Sequence, residues 1–328
     1  MKSFFKHALR ILIFSLILFI ILFVLSGIMT PKSNNKDDGM YDELANGVLS
    51  EPENTLDVLF IGDSEVYSGI MPIKLWKYHG ITSYDCSTSG QQLAYSLEFL
   101  HNTLISQSPK LVIMETNAFY RKLSFDDSII YKAGMILPVF KYHDRWKHLH
   151  LNDFNINAEI EYNYNDTNKG YKFVGKANPA DDSKYMAASK NVKEITSRNK
   201  SYIKDIKKFC DQNDTELVFL STPSTKNWNY EKHNGVQELA DELGVKFIDM
   251  NTFADDLEID WSKDTYDQGD HMNYYGATKV TNYLGDYFEE LGIFTSHKDD
   301  EKYSSWDEST KKFYEMLERH LDPKDYED

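Results

Sequence analysis

Two residues of this chain have the types and settings that nucleophilic catalysis requires. Ser64 follows the apolar run 56–61 through Gly62 and Asp63, and His271 stands in the acidic loop 266–273, just ahead of a helical pattern. A buried strand can hold a hydroxyl rigidly at its carboxyl end, where open α/β sheets place their ligands. The chemistry there needs a base to take the Ser64 proton, a group to orient that base, and donors for a developing oxyanion. The layout is that of a serine hydrolase. Asp267 and Asp270 lie in the same loop as His271, and either could orient it.

The elements that must position these groups alternate. Segments 56–61, 81–86, 110–115, 216–221 and 246–249 read as strands, the third of them by its apolar run. Helical spacing over 72–78, 91–107, 188–211, 236–243 and 274–291 separates or follows them, with Leu93, Leu97, Leu100 and Leu104 on one stripe of the second. Such alternation predicts parallel strands joined by right-handed crossovers, hence a three-layer α/β/α sandwich.

Ahead of this domain the sequence predicts a membrane anchor. Residues 11–29 carry no charge and are almost wholly apolar, behind a stub that holds Lys2, Lys6 and Arg10. Nineteen helical residues reach about 28 Å, roughly one bilayer core. The basic stub with no acidic residue predicts a cytoplasmic amino terminus and a catalytic part outside the cell. The stretch around Ser26 and Gly27 is a poor cleavage site, so an uncleaved single-pass anchor is expected over a removed signal peptide. The expected division is a stub over 1–10, the anchor over 11–29, a polar linker over 30–52, the main domain over 53–295 and an acidic helical tail over 296–328.

Two segments interrupt the alternation. Residues 118–187 are dense in Tyr, His, Trp and Lys without strand-helix rhythm, and read as an insertion after the third strand that could serve as a lid, an acceptor-binding wall or a self-packed cap. In the tail, Trp306, Phe313, Met316, Leu317 and Leu321 could line one helix face.

Charge bounds the partners. The chain has 36 Lys+Arg against 52 Asp+Glu, and without the three basic residues of the stub the remainder stands at 33 against 52. Nucleic acid is not expected on such a surface. Cys86 and Cys210 are the two cysteines, and unpaired buried thiols are expected over a disulfide. His143, His148 and His150 with Asp144 and Asp153 lack the compact spacing of a metal site, and the acidic run 255–270 lacks that of a calcium loop, so no metal or other cofactor is expected.

Residues 53–295 resemble the SGNH (GDSL-type) hydrolase superfamily, a flavodoxin-like fold. The likeness rests on four blocks in order: Ser64 in FIGDSEVYSG, Gly90 in DCSTSGQQ, Asn117 in METNAFY and His271 in DQGDHMN. It implies that Ser64 is the nucleophile and His271 the base. The oxyanion would be held by the backbone N–H groups of Ser64 and Gly90 and by the Asn117 side chain. An Asn that only caps the strand end is the competing reading of Asn117. Family spacing puts the orienting acid three residues before His271, where this chain has Gln268. Asp267 could be brought back by a bulge at Gly269, with Asp270 the fallback.

The single anchor, Glu65 after the nucleophile, and the pattern of Arg145, Trp146, Leu149, Asp153, Phe154, Lys169, Gly170 and Tyr171 are similar to the DltD-like extracytoplasmic acyl-transfer proteins, although those show GSS where this chain has GDS. That likeness implies an esterase or O-acyltransferase acting through an acyl-serine on a cell-envelope glycopolymer, beside a membrane-bound O-acyltransferase (MBOAT). Hydrolysis and transfer stay open. The alternative is a non-catalytic subunit of the same fold that docks such an acyltransferase.

Overall fold

The computed structural model describes residues 2–326. In chain order its main elements are α1 (Lys2–Met29), α2 (Glu43–Asn46), β1 (Val58–Gly62), α3 (Ser64–Gly69), α4 (Pro72–His79), β2 (Ser83–Ser87), α5 (Leu93–Thr103), β3 (Leu111–Glu115), α6 (Phe125–Ile136), α7 (Ser197–Gln212), β4 (Glu216–Ser221), α8 (Tyr230–Leu243), β5 (Lys246–Asp249), α9 (Tyr274–Leu291) and α10 (Ser304–Glu318). They fall into two compact units: the chain as far as Glu43 with Ser124–Tyr164, and Leu44–Leu123 with the chain from Asn165 onward.

The second unit is an α/β domain around a five-stranded sheet in the order β2-β1-β3-β4-β5. Every strand pair is parallel. β1 and β3 are buried at every residue, as their apolar runs require when helices cover both faces, and β2 is buried as well although it carries Ser83, Asp85 and Ser87. α3, α4, α9 and α10 pack among themselves, and α5 packs on α7. The registers Gly62 to Ser87, Ile61 to Met114 and Glu115 to Leu220 align the carboxyl ends, so the loops that follow the strands emerge along one edge. From β1 the chain passes to β2 on one side and later to β3 on the other. The crevice at such a reversal is where open α/β sheets bind ligands.

Several boundaries differ from the sequence reading for local reasons. Expected as a strand over 81–86, β2 runs Ser83–Ser87. α7 begins at Ser197 rather than at 188, because the Thr196 side chain accepts from Asn199 N and caps it there. Asn229 does the same for α8, which starts well before 236. Within 118–187, read as lacking strand-helix rhythm, α6 is an α-helix with a full capping box between Ser124 and Asp127. Residues 30–52, read as a linker, carry α2 and buried Ala45 and Val48, and the division between the two units falls at Glu43. In the tail, Trp306, Phe313 and Leu317 are at most 1% exposed. Their burial is worth roughly 1.5–3 kcal/mol apiece, which makes α10 part of the core. Met316 and Leu321 are only half-buried. Cys86 and Cys210 are buried and unpaired, and burial pushes the Cys210 thiol up to about 12.

In the first unit α1 is long and apolar enough to cross a membrane, with a mean hydropathy of 3.1 over its best window. Its carboxyl end is closed by one buried side chain. Arg145 donates through Nη1 to Ile28 O at 3.0 Å, through Nε to Asp38 O at 2.5 Å and through Nη2 to Asp153 Oδ1 at 2.7 Å. Carbonyls left over at a helix end need such partners, and a cation suits the negative end of the helix dipole.

Candidate active site

β1 delivers Ser64. The strand ends at Gly62, where a Cβ would stand 2.6 Å from the Glu115 Cβ on β3, so only glycine lets the two strands run this close. Asp63 then caps α3, its Oδ1 accepting from Glu65 N at 3.1 Å, and Ser64 is the first residue of that helix. The hydroxyl is 4% exposed at the carboxyl edge of the sheet.

The loop before α9 delivers the imidazole. An antiparallel bridge between Thr265 and Met272 pinches its base, and Gln268 and Gly269 both take left-handed conformations, φ +66° and +88°. These two turns absorb the extra residue between acid and histidine. His271 Nε2 is 2.7 Å from Ser64 Oγ, and Nδ1 is 2.6 Å from Asp267 Oδ2. Asp267 also accepts from the His271 backbone N–H through Oδ1, at 2.8 Å. Asp270 is 3.9 Å from Nδ1, beyond hydrogen-bonding distance. The Tyr266 ring stacks on the imidazole at 5.5 Å with 10° between planes. Asn273 braces the same loop, accepting from Tyr275 N and Gly276 N while donating to Lys263 O.

The expected oxyanion donors follow the neighbouring strands. Gly90 lies in the turn after β2 at φ +64° with open space around it. Asn117 lies just after β3 and is 5% exposed. Its side chain is fixed from both ends: Nδ2 donates to Asp63 Oδ2 at 3.1 Å, and Lys232 Nζ donates to Oδ1 at 3.1 Å. One N–H of the amide is thus spent on Asp63, and a second remains.

Apart from Glu65, the sequence reading missed the charged groups behind these residues. Arg121 donates through Nε to Asp63 Oδ2 at 2.7 Å. Glu115 accepts from Asn117 N at 2.6 Å and is held well above the ordinary carboxylate range, first by burial and then by Asp63. Glu65 is raised in the same way, by burial and then by Asp63 and Glu115. Its Oε1 accepts from Asn227 Nδ2 at 2.7 Å, and Asn227 also reaches Asp270 Oδ1. Burial lowers the Lys232 ammonium, and nearby Glu115 raises it. Burial raises the Tyr67 hydroxyl, while Ser89 and Ser64 pull it the other way. Only helical periodicity could have flagged Tyr67, which falls on the first turn after Ser64; Glu65 and Glu115 stand beside Ser64 and close to Asn117, whereas Arg121, Asn227 and Lys232 come from other segments.

Glu65, Asp270 and His271 offer ligand atoms within 4.8 Å of one another, but both imidazole nitrogens already face Ser64 and Asp267. His143, His148 and His150 are exposed.

No protein-family model matches the chain, and no curated protein matches it. Among solved structures, the psychrotrophic esterase EstA from Pseudoalteromonas is 9% identical over 73% of this chain and 100% of its own, with a TM-score of 0.38. Axe2, an acetylxylan esterase from Geobacillus stearothermophilus, is 13% identical over 75% of this chain and 97% of its own, with a TM-score of 0.37. A GDSL-like lipase from Bacteroides thetaiotaomicron is 12% identical over 71% and 88%, with a TM-score of 0.35. Likenesses this remote assign neither family nor chemistry to the chain.

Proposed function

We propose that this chain is a serine esterase or O-acyltransferase of the SGNH type, anchored in a membrane by α1. One observation carries the reading: an unbroken relay from Ser64 Oγ through His271 Nε2 and Nδ1 to Asp267 Oδ2, with links of 2.7 and 2.6 Å.

In that relay His271 takes the proton of Ser64 as the oxygen attacks an acyl carbonyl. Asp267 holds Nδ1–H and stabilises the imidazolium that forms. The tetrahedral oxyanion meets the N–H groups of Ser64 and Gly90 and the second N–H of Asn117, each such donor being worth about 2.7–4 kcal/mol of barrier. Collapse expels the alcohol, which receives the proton from His271 and leaves an acyl ester on Ser64. Attack on that ester by water gives hydrolysis, and attack by a sugar hydroxyl gives transfer. The acyl groups it would handle belong to a cell-envelope glycopolymer outside the cell, beside a membrane-bound O-acyltransferase. The apolar span and its basic amino-terminal stub support that placement.

The test is ester release from p-nitrophenyl acetate together with labelling by a fluorophosphonate probe. Wild type should do both, and Ser64→Ala and His271→Ala should lose at least a thousandfold in ester release, as removal of a triad member does. Undiminished release from Ser64→Ala would refute the mechanism.

A further inference from the structure

The unit that carries α1 exposes large apolar side chains that its own fold does not cover, and they lie beside the carboxyl end of the span. Ile129 and Ile136 on α6 are 50% and 75% exposed, Trp146 62%, Leu151 92% and Phe154 61%. Helical periodicity puts Ile129 and Ile136 on one face of α6. The turns Pro138–Phe140 and Leu151–Phe154 pack on α1 itself, and α6 packs on the first of them.

Specific contacts fix the level of this collar. Val139 N donates to Ser26 Oγ at 3.2 Å, Arg145 Nη1 to Ile28 O at 3.0 Å, and Ile156 lies so near Gly27 that a Cβ there would stand 2.8 Å from its own. All three partners belong to the last four residues of α1. A helix whose uncharged apolar stretch is nineteen residues long, about 28 Å, brings its last turn to the boundary of a bilayer, and whatever packs on that turn lies at the same depth. Exposed apolar side chains at that depth face lipid rather than water. An exposed Trp and apolar faces interleaved with lysines, here Lys132, Lys141 and Lys147, are what the headgroup boundary accepts, the lysine stems reaching back to water.

We infer that residues 125–156 form an interfacial collar whose exposed apolar side chains bury in the outer headgroup region of the bilayer that α1 spans. This rests on the membrane placement proposed above. The collar adds a second attachment to the span and fixes the depth of the first unit, which a single helix free to tilt does not do.

The test uses the full chain in phospholipid nanodiscs, with single cysteines carrying a nitroxide at Ile129, Ile136, Leu151 or Phe154. Cys86 and Cys210 are buried and stay unlabelled. Ile17→Cys in α1 is the lipid reference, and Ile105→Cys, 84% exposed at the end of α5, is the water reference. The collar labels are expected to lose access to an aqueous nickel chelate relative to Ile105→Cys and to be relaxed by oxygen as Ile17→Cys is. In parallel, lipids brominated in the acyl chain should quench Trp146, because the other four tryptophans are at most 8% exposed, and Trp146→Phe should abolish that quenching. Chelate access equal to that of Ile105→Cys overturns the inference. If Ile17→Cys still reads lipid, the span survives and the collar alone has failed; if Ile17→Cys also reads water, both have failed. Labels shielded in native membranes but open to water in nanodiscs overturn it too, in favour of a protein partner on this face.

Discussion

Replacing Asp267 and Asp270 by asparagine, one at a time, separates two acids that the sequence leaves equivalent. Asp267 contacts His271 twice, at 2.6 Å on Nδ1 and 2.8 Å on the backbone N–H. Asparagine there can turn its NH2 toward Nδ1, which favours the tautomer with the proton on Nε2, and that imidazole cannot accept from Ser64. The equivalent change in a serine protease triad costs about ten-thousandfold in kcat, or about 5.4 kcal/mol at 1.36 kcal/mol per decade. Asp270 makes no hydrogen bond to the ring at 3.9 Å, and its Oδ1 is held by Asn227 instead. Its removal leaves the tautomer alone and takes away only a partly exposed charge, so a loss within about tenfold is expected. The assay is the rate constant for fluorophosphonate labelling of Ser64 beside kcat/KM for an activated ester, with unfolding midpoints to show that both variants fold. Equal losses from the two variants, or a greater loss from Asp270→Asn, would refute the assignment of the orienting acid.

Gly269→Ala should damage the relay more than the fold. At φ +88° an L-residue is strained by about 1–2 kcal/mol, and the new methyl would meet the Thr225 side chain and stand 2.8 Å from the Ala180 Cβ. Shifting the His271 loop by about 1 Å is enough for roughly a hundredfold loss of ester release, and a variant with full activity would show that the bulge does not set the relay. Glu65→Gln should flatten the pH dependence of stability. Its folded-state value lies above the ordinary 4.5, so as pH rises past 4.5 the unfolded chain gives up a proton that the folded chain keeps, and stability falls. One such proton is worth up to about 1.4 kcal/mol per pH unit, and urea unfolding as pH rises above about 4.5 should show a shallower slope in the variant. An unchanged slope would mean that Glu65 is ionised in the folded protein.

The parts of this molecule that could be read in advance are those in which pattern and position coincide. The strand runs are legible because both faces of the sheet are buried, and α9 matches its expected span because Asn273 marks its start and Gly292 its end. α6 went unread although Ser124 and Asp127 spell a capping box, because its apolar residues lie on an exposed face and give no core-facing stripe. Residues 44–51 read as linker because the stretch 30–52 that holds them is rich in Asn, Asp and Gly, yet Glu51 is buried and accepts from Lys169 Nζ at 2.7 Å, a pairing no local pattern announces. At the site, Ser64 and His271 stand at element ends where spacing can find them. Asp267 needed the left-handed pair Gln268 and Gly269 to reach the ring. Arg121, Lys232 and Asn227 arrive from three other segments and could be placed only by the fold.

Those late arrivals bear on why so many carboxyls can crowd one hydroxyl. Asp63, Glu65 and Glu115 are buried around the start of α3, and the cations set against them are Arg121 and Lys232. Were Glu65 ionised, its charge would sit within 4.8 Å of a His271 ring nitrogen, close to where an oxyanion must form. At an effective dielectric of about 20, two like charges roughly 5 Å apart cost about 3 kcal/mol, comparable to one oxyanion donor. That charge would offset the contribution of one donor. Burial works against that conflict by raising the proton affinity of Glu65 and Glu115, while Arg121 pairs with Asp63. Asp63 is then free to fix Asn117 without adding net charge to the site. A proton on Glu65 and on Glu115 is therefore what an oxyanion at Ser64 calls for, and the raised proton affinity of Glu65 is the part of that condition an experiment can titrate.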